Sequence, residues 1–342
     1  MGRPTIADVA EAAGVSVSTV DRVLSGREKV RRVTAERVLA AAERIGFYAA
    51  PAIKHRLGAD KPVRTLGFLL QQHTRPFYRN LAQTLTDAAQ HNLNARIHTK
   101  VEFLENLSPD NVANHILQLG SQVDALAVVA AEHPRVAQAI ENLRANGVPT
   151  FALISGLTTA GGTGYVGLDN WKVGRTSAWT FANMCPQPGK IGIIVGSHRY
   201  RCQEMNEIGF RSYFREHAPE FQLLEPMISA EDRRVAAELT RDLLIREPDL
   251  SGLYISGGGI TGVLTALRES DKAQQMVVVG YELMEETRAA LVDGILNLVI
   301  SHPLPRLAEV AVESMLEAIG EERSDNLPVR LLPFEIYTPE NL

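Results

Sequence analysis

Apolar positions recur at helical spacing over the first fifty residues, and then the pattern changes. Ile6, Val9 and Ala10 share one helical face, Ala12-Ala13-Gly14 interrupts it, and Val20, Val23 and Leu24 resume it. Thr5 is placed to N-cap the first helix, with Asp8 three residues on to answer it, and Ser16 is placed to cap the second. Gly14 suits the turn between them, because it takes positive φ without a Cβ clash. A third helix is predicted from Thr34 to Ile45, with Val38, Leu39, Ala42 and Ile45 apolar and Gly46 as its stop. Three short helices with a small residue, Ala10, at the first crossing predict a small all-α helix-turn-helix domain. Ser18, Thr19, Asp21 and Arg22 point away from its buried face.

From Val63 onward, continuous apolar runs alternate with amphipathic stretches. Strands are predicted at 65–70, 95–101, 124–130 and 149–154, with helices at 78–92, 109–120 and 133–147. A second series opens near GYVGLDN. It continues through the helix KVGRTSAWTFANM, the strand KIGIIVG, the helices EMNEIGFRSYFREHA and RRVAAELTRDLLIRE, and the strands SGLYIS and MVVVGY. Apolar strands between amphipathic helices imply parallel sheets covered on both faces, in Rossmann-like layers. Two series imply two similar α/β subdomains with a cleft between them, and ligands beyond the carboxyl ends of the strands.

Charge adds a direction. Residues 1–64 hold twelve Lys/Arg against seven Asp/Glu, whereas the remaining 278 hold 23 against 33. A basic small module on an acidic large one is the balance of a nucleic-acid-binding head on a solvated body. Arg27, Lys29, Arg31 and Arg32 form a basic loop that either meets backbone phosphate or is simply solvated. Two cysteines, Cys185 and Cys202, without paired spacing fit a reducing compartment and argue against a structural zinc site. Neither a signal-peptide pattern nor a membrane-spanning apolar run occurs, so a cytoplasmic location is expected.

One motif points elsewhere. In YISGGGITG, Gly257, Gly259 and Gly262 spell G-x-G-x-x-G after an apolar run and before a predicted helix, Val263 to Glu269, with Glu282 about 20 residues on. That order would suit an NAD(P)-dependent oxidoreductase. No catalytic set accompanies it: no G-x-S-x-G, H-E-x-x-H or P-loop occurs, and no two histidines show metal-ligand spacing. No enzyme activity, cofactor or metal is expected.

The head outweighs that motif. TIADVAEAAGVSVSTVDRVL (5–24) resembles the headpiece of the LacI family of bacterial transcription regulators almost throughout, and RVTAERVLAAAERIGF (32–47) resembles its third helix. The resemblance implies that Val17, Ser18 and Arg22 read bases. Arg22 is the residue able to take guanine O6 and N7 together. It places Thr5, Ser16, Thr19 and Thr34 at phosphates. Asp21 stands where the family has Ser, and is expected to pair with Arg22 or a nearby cation. After Gly46 the family carries a hinge helix that wedges a leucine into the minor groove. Here Leu57 is the candidate, one residue later than the common pattern.

The body resembles the periplasmic-binding-protein-like sensor of the same family, more loosely. RPFYRNL, VGLDN, GYEL and ISHP stand at family motif positions, with Arg75 for Asn, Tyr78 for Phe and Ser301 for Gln. Asn206 stands where many members carry an arginine. The ligand set so implied is Arg75, Phe77, Tyr78, Asp169, Asn170, Arg199, Asn206, Gly258, Glu282 and Ser301. The glycines would then serve a ligand cleft rather than a pyrophosphate. The expected organisation is a head at 1–48, a hinge at 49–63 and an effector-binding and dimerisation domain at 64–342. Its N-subdomain would take about 64–168 and 300–325, and its C-subdomain about 169–299 and 326–342. The expected function is a homodimeric repressor of double-stranded operator DNA, controlled by a sugar or polyol effector. A solute-binding transport protein would share the body but has no use for the head.

Overall fold

The computed structural model describes residues 3–26, 30–59, 61–270, 272–320 and 327–342, without the side chains of residues 32 and 55–59. Arg27, Lys29 and the Leu57 side chain therefore lie outside the described residues. The chain divides into two compact units, one of residues 1–64 with 92–96 and one of 65–91 with 97–342.

The first unit holds α1 (Ile6–Ala13), α2 (Val17–Ser25), α3 (Arg32–Arg44) and α4 (Ala50–Ala59). Val9, Ala10, Val20, Val23, Val38 and Ala42 meet in one core, as the helical spacing predicts. Thr5 and Asp8 form the expected capping box, and Gly14 takes φ +61° after α1. α3 starts two residues earlier than its apolar face suggests, with Arg31 at its N-cap. The stretch read as a hinge or linker contains α4. Ala50 and Ile53 of α4 are buried in the same core as Phe47. Pro51 is tolerated there because the first helical turn needs no N–H from it.

The second unit is two lobes. In the N-lobe, β1 (Val63–Gln71), β2 (Arg96–Leu104), β3 (Ala125–Val128), β4 (Thr150–Leu153) and β5 (Gly164–Leu168) alternate with α5 (Pro76–Gln90), α6 (Pro109–Gly120) and α7 (Pro134–Ala145). In the C-lobe, α8 (Asn170–Met184), β6 (Lys190–Val195), α9 (Arg201–His217), β7 (Gln222–Leu223) and β8 (Met227–Ile228) come first. Then follow α10 (Arg233–Arg246), β9 (Leu250–Ser256), α11 (Ile260–Arg268), β10 (Val277–Tyr281), α12 (Glu285–Val292) and β11 (Leu298–Ser301). The chain then returns to the N-lobe as α13 (Leu304–Ala318), which packs on α5, and as β12 (Val329–Leu332), and ends in the C-lobe at β13 (Glu335–Tyr337).

The sheet orders are β12-β5-β4-β3-β1-β2 and β13-β11-β10-β9-β6-β7, with β8 on β6. Neighbours run parallel from β3 through β5 and from β6 through β11, while β13 is antiparallel to β11. One expectation is corrected. Residues 326–342 do not all belong to the C-subdomain, because β12 pairs in parallel with β5, Val329 opposite Tyr165. Val329 and Leu331 are more than half exposed on this edge strand, so its sequence has no buried run to announce which sheet it joins.

Candidate functional site

In the head, the N-terminus of α2 gathers hydroxyls. Ser16 Oγ accepts from the Thr19 amide at 3.2 Å and lies 2.9 Å from Ser18 Oγ and 2.8 Å from Thr19 Oγ1. Four amides at a helix start lack intrahelical partners, so hydroxyls and N–H groups there face outward with a positive dipole end. Ser16, Val17, Ser18 and Arg22 are exposed and Thr19 is half-buried, with Ser18 and Arg22 on the side of α2 opposite the buried Val20 and Val23. Val17 is 52% exposed, which a valine reserved for the core would not be. Asp21 is exposed beside Arg22. Thr5 is exposed, and its amide and hydroxyl both donate to Asp8 Oδ2 at 2.7 Å. Those bonds hold the Asp8 carboxyl below its ordinary value. Thr34 is half-buried in the first turn of α3.

Two arginines not singled out from sequence position α1 against α3. Arg37 donates to Ala13 O (2.7 Å) and Gly14 O (3.1 Å), and Arg44 donates to Ala12 O (2.8 Å). They satisfy carbonyls that a helix end leaves unpaired, at the end whose dipole favours cations.

In the body, the carboxyl ends of strands from both lobes enclose a cavity of about 620 Å³. Gln71, Val129 and Ile154 reach it from the N-lobe, and Gly257, Tyr281 and Glu282 from the C-lobe. Gln71 is 1% exposed, yet neither its amide nitrogen nor its amide oxygen has a hydrogen bond of good geometry. The Tyr200 hydroxyl is its polar neighbour. The Tyr281 hydroxyl and one Glu286 oxygen are also buried without a partner. Burial pushes the Tyr281 phenol well above its ordinary value, so it stays a neutral donor.

Arg75 and Glu231 meet across the cleft. Arg75 donates from Nη1 to Glu231 Oε2 (2.6 Å), from Nη2 to Glu231 O (2.7 Å) and from Nε to Gln72 Oε1 (2.9 Å). Glu231 Oε1 accepts from Gln203 Nε2 at 2.6 Å. Burial pulls the Arg75 guanidinium down, but Glu231 beside it outweighs that and leaves it above the ordinary arginine value. Glu282 is also anchored: His302 Nδ1 lies 2.5 Å from Oε1, and Oε2 accepts from the His302 amide and Ser301 Oγ, both at 3.2 Å. Glu282 sits at φ +69°, a region that side-chain-bearing residues rarely adopt.

Of the ligand set expected from sequence, Arg75, Phe77, Tyr78, Gly258 and Glu282 line this cavity. The others stand elsewhere. Arg199 lines an adjoining pocket of about 200 Å³. Asp169 N-caps α8 through the Lys172 amide, and Asn170 Nδ2 donates to Tyr165 Oη and Leu168 O, each at 3.2 Å. Asn206 is fully buried between helices. With its amide oxygen turned to accept from Ser256 Oγ, its nitrogen donates to Asn170 O (3.0 Å) and Cys202 O (3.2 Å). Ser301 stands behind Glu282. Gln71, Gln203, Glu231, Tyr281 and Glu286 escaped the sequence reading. Two of them carried a local signal: Gln71, a polar residue closing the buried strand TLGFLL, and Tyr281, which lies within GYEL.

The glycine motif is explained by packing. Gly257 and Gly259 take φ +125° and +93°, and Gly259 N-caps α11. A Cβ on Gly257 would strike Gln203, one on Gly258 would fall 1.6 Å from Glu231 Oε2, and one on Gly262 would fall 1.9 Å from Arg233 O in α10. Protein atoms thus occupy the room that these glycines leave.

Fold and cavity together define a two-lobed ligand-binding body carrying a helix-turn-helix head. Residues 66–323 match the periplasmic binding protein domain, and residues 5–49 match the lacI family of bacterial regulatory proteins. The chain belongs to the LacI family and is a DNA-binding transcription regulator. It is 43% identical over 86 residues to the maltose regulon regulatory protein MalI of Escherichia coli (strain K12), a match spanning 25% of each chain. It is 25% identical over 332 residues to the HTH-type transcriptional regulator MalR of Streptomyces coelicolor, covering 92% of this chain and 90% of that one. Its fold matches an ABC transporter periplasmic solute-binding protein of Actinobacillus succinogenes 130z solved with D-allose. That match has a TM-score of 0.73 and 20% identity, over 82% of this chain and 98% of that one. The regulators among these relatives are transcription factors rather than enzymes. Among the described residues no helix is long and apolar enough to cross a membrane.

Proposed function

We propose that this chain is a cytosolic homodimeric repressor without enzyme activity. In this reading a sugar or polyol in the interlobe cavity sets its hold on operator DNA. Val17, Ser18 and Arg22 read bases, while Thr5, Ser16, Thr19 and Thr34 fix the pose on phosphates. The observation that carries the effector reading is the set of buried polar atoms around the cavity that lack a well-formed hydrogen bond: the Tyr281 hydroxyl, a Glu286 oxygen and the Gln71 amide, whose polar neighbour is the Tyr200 hydroxyl. A buried polar group without a partner costs about 1–3 kcal/mol. A ligand bearing several hydroxyls offers donors and acceptors at short intervals and relieves all three residues. Phe77 and Tyr78 give it an apolar face to stack on. The D-allose in the solute-binding neighbour supports the same ligand class. A transport role is disfavoured by the helix-turn-helix head.

A thermal-shift screen of sugars and polyols tests this, since a ligand that binds the native state raises the melting temperature. With the hit in hand, Gln71→Ala and Tyr281→Phe should each weaken binding about tenfold, read by calorimetry. Unchanged affinity in both folded variants would remove the cavity from consideration.

A further inference from the structure

Two departures from the family pattern bear on the charge of the cavity. Arg75 stands where the family has Asn, and Asn206 stands where many members carry an arginine. In space, Gly258 makes room for the Glu231 carboxylate, and Glu231 receives Arg75 from the opposite lobe. Asn206 is withdrawn into the packing between α8, α9 and β9. The half-buried arginine of the cavity lining therefore comes from the N-lobe, and it arrives already paired.

We propose that the Arg75–Glu231 pair is the effector-specificity determinant: it ties the two lobes and, by neutralising Arg75, sets the cavity to take an uncharged polyol in preference to a sugar acid. This rests on the polyol reading above and refines it. Arg75 spends three of its five N–H donors on Gln72 and Glu231, and the Glu231 carboxylate already balances its charge, so a ligand carboxylate would compete with one already in place. The pair is well shielded, with side-chain exposures of 20% and 8%, where charge is felt over longer range than at the surface. The other arginines lining the cavity, Arg79 and Arg233, are exposed. Glu231 is itself held in place. Gln203 clamps its second oxygen while accepting from the Gly196 and Ser197 amides, at 2.7 and 2.9 Å. Ala230 and Glu231 take φ +53° and +62°, a backbone turn that side-chain-bearing residues adopt only when their surroundings hold them there.

The test measures affinities of the intact protein for matched neutral and acidic sugars: glucose and gluconate, galactose and galacturonate, xylose and xylonate. Wild type should bind the neutral member of its best pair at least tenfold tighter. Glu231→Gln, which frees the Arg75 charge, should shrink or invert that ratio by at least tenfold. Gly258→Ala should act in the same direction, because its Cβ evicts the Glu231 carboxylate while leaving both charged residues in the chain. In parallel, melting temperatures of Arg75→Met, Glu231→Gln and the double variant form a cycle, in which a true tie makes the two single losses non-additive. A wild type that prefers the acid, or a folded Glu231→Gln with an unaltered ratio, overturns the proposal. If no member of any pair binds, the polyol reading fails and the specificity claim falls with it. The cycle still decides separately whether the pair joins the lobes.

Discussion

At the scale of single residues, chemistry was legible where it is local. Thr5 and Asp8 lie three apart, which is the spacing at which a cap and its answer meet, and they meet. Arg22 is a helix-surface arginine with Val20 and Val23 turned the other way, so its exposure follows from 3.6-residue periodicity. Replacing it tests its role directly. Arg22→Ala should cost about 1–3 kcal/mol of operator affinity and relax preference at one base pair, read by anisotropy titrations against single-base operator variants. Equal loss on every sequence would instead make Arg22 a phosphate contact. Glu231 was not legible. It lies 156 residues from its partner Arg75, in a turn whose sequence, SAEDRR, reads as surface. Arg37 and Arg44 were missed for the same reason, since their acceptors are backbone carbonyls, which carry no sequence signature. Of the cavity itself, the residues named in advance came from family motif positions, whereas Gln71, Tyr281 and Glu286 emerged only once strand ends were brought together.

At the scale of elements, hydrophobic periodicity carried most of the fold. The helix expected at 109–120 is α6 with the same bounds, and the apolar runs became inner strands of the two sheets. What failed were the short and marginal pieces. β7 and β8 have two residues each, too few for any alternation, and β12 exposes Val329, Arg330 and Leu331 in succession, leaving only Leu332 against the core. The glycine motif shows how one local pattern serves two physical ends. Strand, glycine turn and helix occur in the expected order, but Gly262 is small because α10 crosses α11 at that point. Gly262→Ala should therefore act on folding. Its Cβ meets backbone atoms of Arg233 and Ala237, which cannot swing aside as a side-chain tip can. Overpacking of this kind costs about 1–3 kcal/mol, so the denaturation midpoint of the body should fall accordingly. A variant of wild-type stability would show that α10 and α11 have slack, and would return the glycine to a ligand role.

At the scale of the whole molecule, the proposed regulator has two kinds of site with opposite physical character, and that difference makes their coupling measurable. The head is basic and should bind DNA through phosphates, so the logarithm of its association constant should fall linearly with the logarithm of salt. The cavity is shielded and mixes carboxylates with arginines, so its affinity for an uncharged polyol should be nearly flat in salt. If the ligand controls DNA binding, the two equilibria share one coupling free energy, typically about 1–3 kcal/mol, or a 5- to 150-fold change in affinity. Linkage makes that factor reciprocal. The effector should weaken operator binding by some factor, and saturating operator should weaken effector binding by the same one. Both arms are accessible with the full chain: anisotropy titrations of labelled operator with and without effector, and calorimetric titrations of effector with and without operator. Since salt weakens only the DNA arm, each pair of titrations is run at one ionic strength, chosen so that operator affinity stays measurable when effector is saturating. Agreement of the two factors, with a steep salt slope for DNA alone, is the result expected of an effector-controlled repressor. Effector binding that ignores saturating operator would leave head and body as two modules that merely share a chain, and the cavity would then serve something other than control of the DNA.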